Sequence, residues 1–215
     1  MSSSSASLVI RNGLVADGTG TPATAADVRI VAGMIVEVGP GLDAGSAEVV
    51  DATGLLVTPG FVDIHTHYDG QATWDPVLAP SSVHGVTSLV MGNCGVGFAP
   101  ARPTAEQHDW LIGMLEGVED IPGTALAEGL AWDWETFPQY LDALDRRPLV
   151  LDVGTQVPHA PLRAYVMGER GADPQESPTA DELVAMAAIV RDGVDAGALG
   201  FTTSRTMAHR TNQGA

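Results

Sequence analysis

Between Leu8 and Val57 the apolar residues fall in short runs: Leu8 to Ile10, Val28 to Val31, Ile35 to Val38, Val49 to Val50 and Leu55 to Val57. Turn pairs separate them, among them Asn12-Gly13, Ala32-Gly33, Gly39-Pro40 and Thr53-Gly54. Closely spaced β-type runs with Gly punctuation predict a small antiparallel sheet, so residues 7–58 read as a β-module. After Pro59-Gly60 the rhythm changes to strand, loop, helix. Phe61 to Ile64, Val86 to Met91, Leu149 to Val153 and Ala198 to Thr202 read as four buried strands. A helix is expected between the first two. Thr104 with Gln107 three residues on is a capping-box start, followed by Leu111, Met114, Leu115 and Val118 at helical spacing. Phe137, Tyr140, Leu141 and Leu144 mark another helix. Thr179 with Glu182 opens a last one, with an apolar face of Leu183, Met186, Ala187, Val190 and Val194 and a stop at Gly197.

Alternating β and α units of this kind indicate an α/β fold with a parallel sheet and helices outside. Four such units are half of an eight-stranded (β/α)8 barrel, whose usual size is about 250 residues. Residues 59–215 are therefore expected to be the first four β/α units of a barrel, and the chain the N-terminal part of a longer protein. A complete open α/β domain of four strands is the alternative.

Charge and composition narrow the chemistry. The chain carries 27 acidic and 10 basic residues, a formal charge of −17, which excludes a nucleic-acid grip built on phosphate neutralisation. All ten basic residues are arginine, so chemistry that needs a lysine, such as a Walker-type phosphate site, a Schiff base or a carboxylated-lysine metal bridge, is absent from this segment. No apolar run reaches the ~18 residues of a membrane span, and the first residues lack the form of a signal peptide. A cytoplasmic location is the expectation, in keeping with a single cysteine, Cys94.

The sharpest local feature is His65-Thr66-His67 directly after the strand Phe61 to Ile64. Side chains alternate along a strand, so Asp63, His65 and His67 share one face, which at the C-terminal end of a barrel strand points into the mouth. Two imidazoles there can converge on one metal, with Asp63 placed to accept a ring N–H. Cys94 follows the second strand in Met91-Gly92-Asn93-Cys94-Gly95, where flanking glycines leave the sulfur accessible as a thiolate ligand.

These residues carry a resemblance. Asp51 through His67, including Thr58-Pro59-Gly60-Phe61-Val62-Asp63-Ile64-His65-Thr66-His67, is similar to the signature of the amidohydrolase superfamily, metal-dependent hydrolases on a (β/α)8 barrel with a small β-sandwich. Gly85 through Pro100, with Gly92-Asn93-Cys94-Gly95 at its centre, resembles the N-acyl-D-amino-acid deacylase branch, as does Pro158 through Gly168. In that branch the cysteine is a zinc ligand and no carboxylated lysine is used. The resemblance implies Zn2+ held by His65, His67 and Cys94, a β-sandwich portion at 7–58, and hydrolysis of a small-molecule N-acyl amino acid, of D configuration in the named branch. It also implies two further metal-binding histidines and a catalytic aspartate beyond Ala215, so that no general base carries over and the segment alone is expected to be inactive. A non-catalytic half-barrel and a cyclic-amide hydrolase of the hydantoinase or dihydroorotase type are the other readings; the lack of lysine argues against the latter.

Among the remaining candidates, His159 follows the third strand at the barrel mouth and is expected to touch substrate or support a ligand. Asp69 and Asp75 read as solvated or capping loop residues, His84 as a structural helix-end residue, and His108 as exposed. His209, with Arg205 and Arg210, lies in the loop after the fourth strand.

Overall fold

The computed structural model describes residues 7–119, 121–173 and 175–204, and the chain divides into two compact units, one up to Gly60 and one from Phe61 onward. The first unit is one five-stranded sheet. β1 (Ser7–Val15), β2 (Thr24–Val31), β3 (Met34–Gly39) and β4 (Glu48–Asp51) lie in the order β3-β2-β1-β4, and β5 (Leu56–Val57) pairs with the far end of β1. β1, β2 and β3 pair antiparallel, but β4 and β5 both run parallel to β1. The sheet is therefore mixed rather than antiparallel.

The turn chemistry accounts for the β2-β3 hairpin, because Ala32 and Gly33 both have positive φ, 50° and 78°, as a two-residue primed turn requires. The register of β1 against β2 slips between Ile10 and Gly13. There Asn12 takes φ 61°, and a Cβ on Gly13 would lie 2.5 Å from Val57 Cγ2. Asp27 pins the same region by accepting from the backbone N–H of Asn12 and of Leu42, each at 2.9 Å.

In the second unit β6 (Phe61–Asp63), β7 (Val86–Met91) and β8 (Asp152–Thr155) form a parallel sheet in the order β6-β7-β8. β9 (Val157–Pro158) and β10 (Phe201–Thr202) form a second parallel pair. The third strand thus begins three residues later than the apolar run Leu149 to Val153 predicts. Leu149 N–H closes a turn onto Arg147 O, and Val150 N–H donates to Pro76 O, so these amides are used before the ladder starts.

The helix expected between the first two strands is absent. In its place are two 3-10 turns, Gln71–Thr73 and Ser82–His84, in a segment broken by Gly70, Pro76 and Pro80 and tied by the Tyr68 hydroxyl, which donates to Ser81 Oγ at 3.0 Å. Gly85, at φ 86°, ends the second turn, which leaves His84 at a helix end.

Among the described residues, five α-helices cover the second unit: α1 (Ala105–Glu119), α2 (Gly123–Gly129), α3 (Phe137–Asp145), α4 (His159–Met167) and α5 (Ala180–Asp195). Thr136 with Gln139 and Thr179 with Glu182 form reciprocal capping boxes, which fix the starts of α3 and α5. α2 and α4 are short and lack a side-chain cap, so nothing in the sequence pattern marks them. Leu89 and Met91 of β7, Leu111 and Leu115 of α1, and Phe137 and Tyr140 of α3 are fully buried in one cluster. Each such side chain contributes about 1.5–3 kcal/mol of burial. The predicted face of α5 is only partly used: Met186 is buried, whereas Leu183 is exposed. On β6, Phe61 is 69% exposed. Among the described residues no helix is long and apolar enough to cross a membrane.

Candidate metal centre

The strand β6 ends at Asp63, but the backbone beyond it stays beside β7. Buried Thr66 donates to Val90 O through both its amide, at 3.0 Å, and its hydroxyl, at 2.8 Å. With Thr66 locked inward, His65 and His67 turn to the other side, and their ring centroids lie 5.5 Å apart. Asp63 does not meet either imidazole as expected. Its Oδ1 accepts the backbone N–H of His65 at 3.2 Å, because the chain bends there and brings its own amide closer than a ring.

Cys94 sits in the 3-10 turn Asn93–Gly95 that follows β7. Gly92, Cys94 and Gly95 all have positive φ, 76°, 55° and 78°. For a non-glycine residue that backbone costs roughly 1–2 kcal/mol, a strain that concentrates at functional sites. The turn leaves Cys94 Sγ 3.2 Å from His65 Nε2, and the ligand atoms offered by His65, His67 and Cys94 all lie within 4.8 Å of one another.

Neighbouring residues hold this turn in place. Asn93 Nδ2 donates to Thr66 O and Val90 O, and Asn93 Oδ1 accepts from Gln156 Nε2 at 3.0 Å. The Thr202 hydroxyl donates to Gly92 O, tying β10 to the same point. A Cβ on Gly92 would stand 2.3 Å from Gln156 O, and one on Gly97 would stand 3.0 Å from Asp69 Oδ1. Gly92 and Gly95 are thus required by φ as well as by close approach, and Gly97 by close approach alone.

Asp69 departs from its expected solvated role. It is 1% exposed, and burial pushes its carboxyl up to about 7, partly opposed by backbone N–H bonds that include Gly92. Its Oδ2 is buried without a hydrogen-bond partner, while its backbone carbonyl accepts the Tyr140 hydroxyl at 2.7 Å. Asp75 behaves as read: Gln71 Nε2 and the Val77 amide donate to its carboxylate and hold it below the usual range.

His159 opens α4. Its Nδ1 lies 2.9 Å from Thr203 Oγ1, its ring meets Phe201 edge-on, and a Cβ on Gly95 would come within 3.4 Å of His159 Cβ, which places it against the Cys94 turn. His108 is not exposed as expected. It stacks flat on Trp132 at 3.7 Å, because α1 turns that face inward. His209, Arg205 and Arg210 lie outside the described residues.

One acidic residue was not anticipated. Glu119, the last residue of α1, places Oε1 3.2 Å from His67 Nε2. Burial, and then the Glu119 charge, push the Cys94 thiol up from its ordinary value. The only sequence signal was an acidic residue at the helix end that ordinarily favours cations.

Two imidazoles and one thiol are donors suited to zinc, whose bonds to them are about 2.0–2.3 Å, so ligand atoms around one ion stand roughly 3–4 Å apart. The observed separations fit a single divalent cation after a small contraction.

The Amidohydrolase family profile matches residues 48–215, and the chain belongs to that family. A D-aminoacylase of Alcaligenes xylosoxydans xylosoxydans is 34% identical over 199 residues, covering 91% of this chain and 37% of that protein. The chain also matches the solved N-acyl-D-glutamate deacylase of Bordetella bronchiseptica, complexed with zinc and a phosphonate inhibitor. There the TM-score is 0.73 and the identity 33%, with 97% of this chain and 40% of that one covered. A dihydroorotase of Streptococcus thermophilus is 48% identical over 113 residues, half of this chain and a quarter of that protein. The chain therefore spans well under half the length of these relatives.

Proposed function

We propose that this chain carries part of the active site of a zinc-dependent hydrolase that cleaves the linear amide of N-acyl amino acids, D-configured ones foremost. The observation that carries the reading is the convergence of His65, His67 and Cys94 at the ends of adjacent parallel strands. In this reading residues 7–58 are the N-terminal portion of a β-sandwich, and residues 59–215 are the first four β/α units of a barrel whose mouth holds the site. The likeness to the D-aminoacylase and to the zinc-containing deacylase supports both.

His65 and His67 would hold zinc through neutral imidazole nitrogens and Cys94 through its thiolate. When bound, zinc supplies Lewis acidity toward an amide carbonyl and activation of water. The chain's own groups set the conditions. Burial and Glu119 keep the Cys94 thiol protonated in the metal-free protein, so loading releases its proton. Asn93 and Gly92 fix the sulfur's position. Asp69 is buried beside the Cys94 turn, and burial raises its carboxyl to about 7, so that it changes charge near neutral pH. His159, which lies beside the Cys94 turn, would meet the substrate in this reading.

The partial match to a dihydroorotase favours a second reading, hydrolysis of a cyclic amide. The absence of lysine weighs against it. The test assays the complete gene product on N-acetyl and N-formyl D- and L-amino acids beside dihydroorotate and hydantoin, with and without a chelator. Chelator-sensitive turnover of the linear D substrates is expected. Preference for a cyclic substrate, or activity indifferent to the chelator, would overturn the proposal.

A further inference from the structure

We infer that Glu119 is a positioning residue of the metal centre, acting on the bound cation through His67. This rests on the metal centre proposed above and adds to it a residue from outside the strand ends. Two observations converge. Glu119 Oε1 lies 3.2 Å from His67 Nε2, and the two side chains are 11% (His67) and 28% (Glu119) exposed, so the pair is sheltered from bulk screening yet open on one side. A carboxylate on the ring of a metal-bound histidine fixes its orientation and raises its basicity.

The second observation is where the carboxylate comes from. The last turn of α1 contains Glu116 and Glu119 and no basic residue. Acidic groups at a helix C-terminus oppose the helix dipole. Glu116 has a structural use there, since its Oε1 accepts the Gly123 amide that opens α2. Glu119 points instead at the donor cluster, where a divalent cation would turn an unfavourable charge into a favourable one.

The experiment measures Zn2+ affinity of the complete gene product by competition with a chromogenic chelator, for the unsubstituted protein, Glu119→Gln, Glu119→Asp and Glu116→Gln. Each is also loaded with Co2+ and its visible spectrum recorded, and the melting temperature of each metal-free protein is taken. The expected result is a 10- to 100-fold loss of Zn2+ affinity in Glu119→Gln with a shifted Co2+ spectrum, partial recovery in Glu119→Asp, and affinity in Glu116→Gln within threefold of the original. Zn2+ affinity of Glu119→Gln within threefold of the unsubstituted protein, with an unchanged Co2+ spectrum, would overturn the role of Glu119 and leave the metal centre standing. An unsubstituted protein that takes up neither ion would overturn the metal centre and this role together. Should Glu119→Gln not fold, Glu119→Asp decides: unchanged affinity and spectrum there count against the role, and a loss of affinity with a shifted spectrum supports it.

Discussion

Gln156 Nε2 donates to Asn93 Oδ1 at 3.0 Å, while the other end of the same amide, Asn93 Nδ2, donates to Thr66 O and Val90 O. One buried side chain thereby joins the segment carrying His65 and His67, the end of β7 and the residue between β8 and β9. The distance between the imidazoles and Cys94 depends on that junction, since Asn93 is the direct neighbour of the cysteine.

Asn93→Ala is expected to weaken this junction by about 1–3 kcal/mol, the cost of removing the donor to the Thr66 carbonyl and the acceptor of Gln156 Nε2, while Val90 O keeps its two bonds from Thr66. It should also lower metal affinity, because the Cys94 turn loses its anchor. Chemical denaturation of the metal-free protein together with Zn2+ titration checks both. A variant as stable and as tightly metal-binding as the original would show that Asn93 holds nothing in place.

Gly92→Ala and Gly85→Ala separate backbone strain from collision. Both glycines are left-handed, at φ 76° and 86°, but a Cβ at 85 meets only the Phe61 ring, at an ordinary 3.5 Å, whereas one at 92 lies 2.3 Å from Gln156 O. Gly85→Ala should cost roughly 1–2 kcal/mol for the left-handed backbone alone. Gly92→Ala should cost clearly more, read as a larger fall in the urea midpoint. Equal losses would mean that Gln156 moves aside freely.

Much of the framework was legible because its signals are local. Val86 to Met91 is read correctly as a strand, and Thr179 caps α5 as its partner three residues on implies. His65, His67 and Cys94 could be singled out because each follows an apolar run directly. What stayed hidden depends on contacts distant in sequence. Asp69 is buried by packing that includes Tyr140, 71 residues away, and His108 is turned inward by Trp132. Glu119 meets His67 across 52 positions, and no periodicity connects them. The shift of β8 likewise arises from Pro76, which takes the Val150 amide from another part of the chain.

In the N-terminal sheet, Asp27 gives a pH prediction with a definite sign. The Asn12 amide foremost, with the Leu42 amide and the charge of Arg11, holds its carboxyl below the usual value of 3.8, against the opposing effect of burial. A depressed folded pKa contributes stability that is present above 3.8 and is lost as pH falls below it through the folded value. Amide exchange across β1 and β2, corrected for the intrinsic rate, should therefore accelerate in that acid range. In Asp27→Asn the acid-dependent part should flatten. An undiminished acid response in that variant would assign it to other carboxyls.

The central claim is that Cys94 and the two histidines share one cation, and cobalt tests it most directly. The 215-residue chain has one cysteine, so a sulfur-to-cobalt charge-transfer band in the near ultraviolet can arise from Cys94 alone. Titration of the chain with Co2+ is expected to produce that band with one-to-one stoichiometry. It should vanish in Cys94→Ser and weaken sharply in His65→Ala and His67→Ala. A chain that binds Co2+ without the band, or a band that persists at full strength without either histidine, would contradict a shared site.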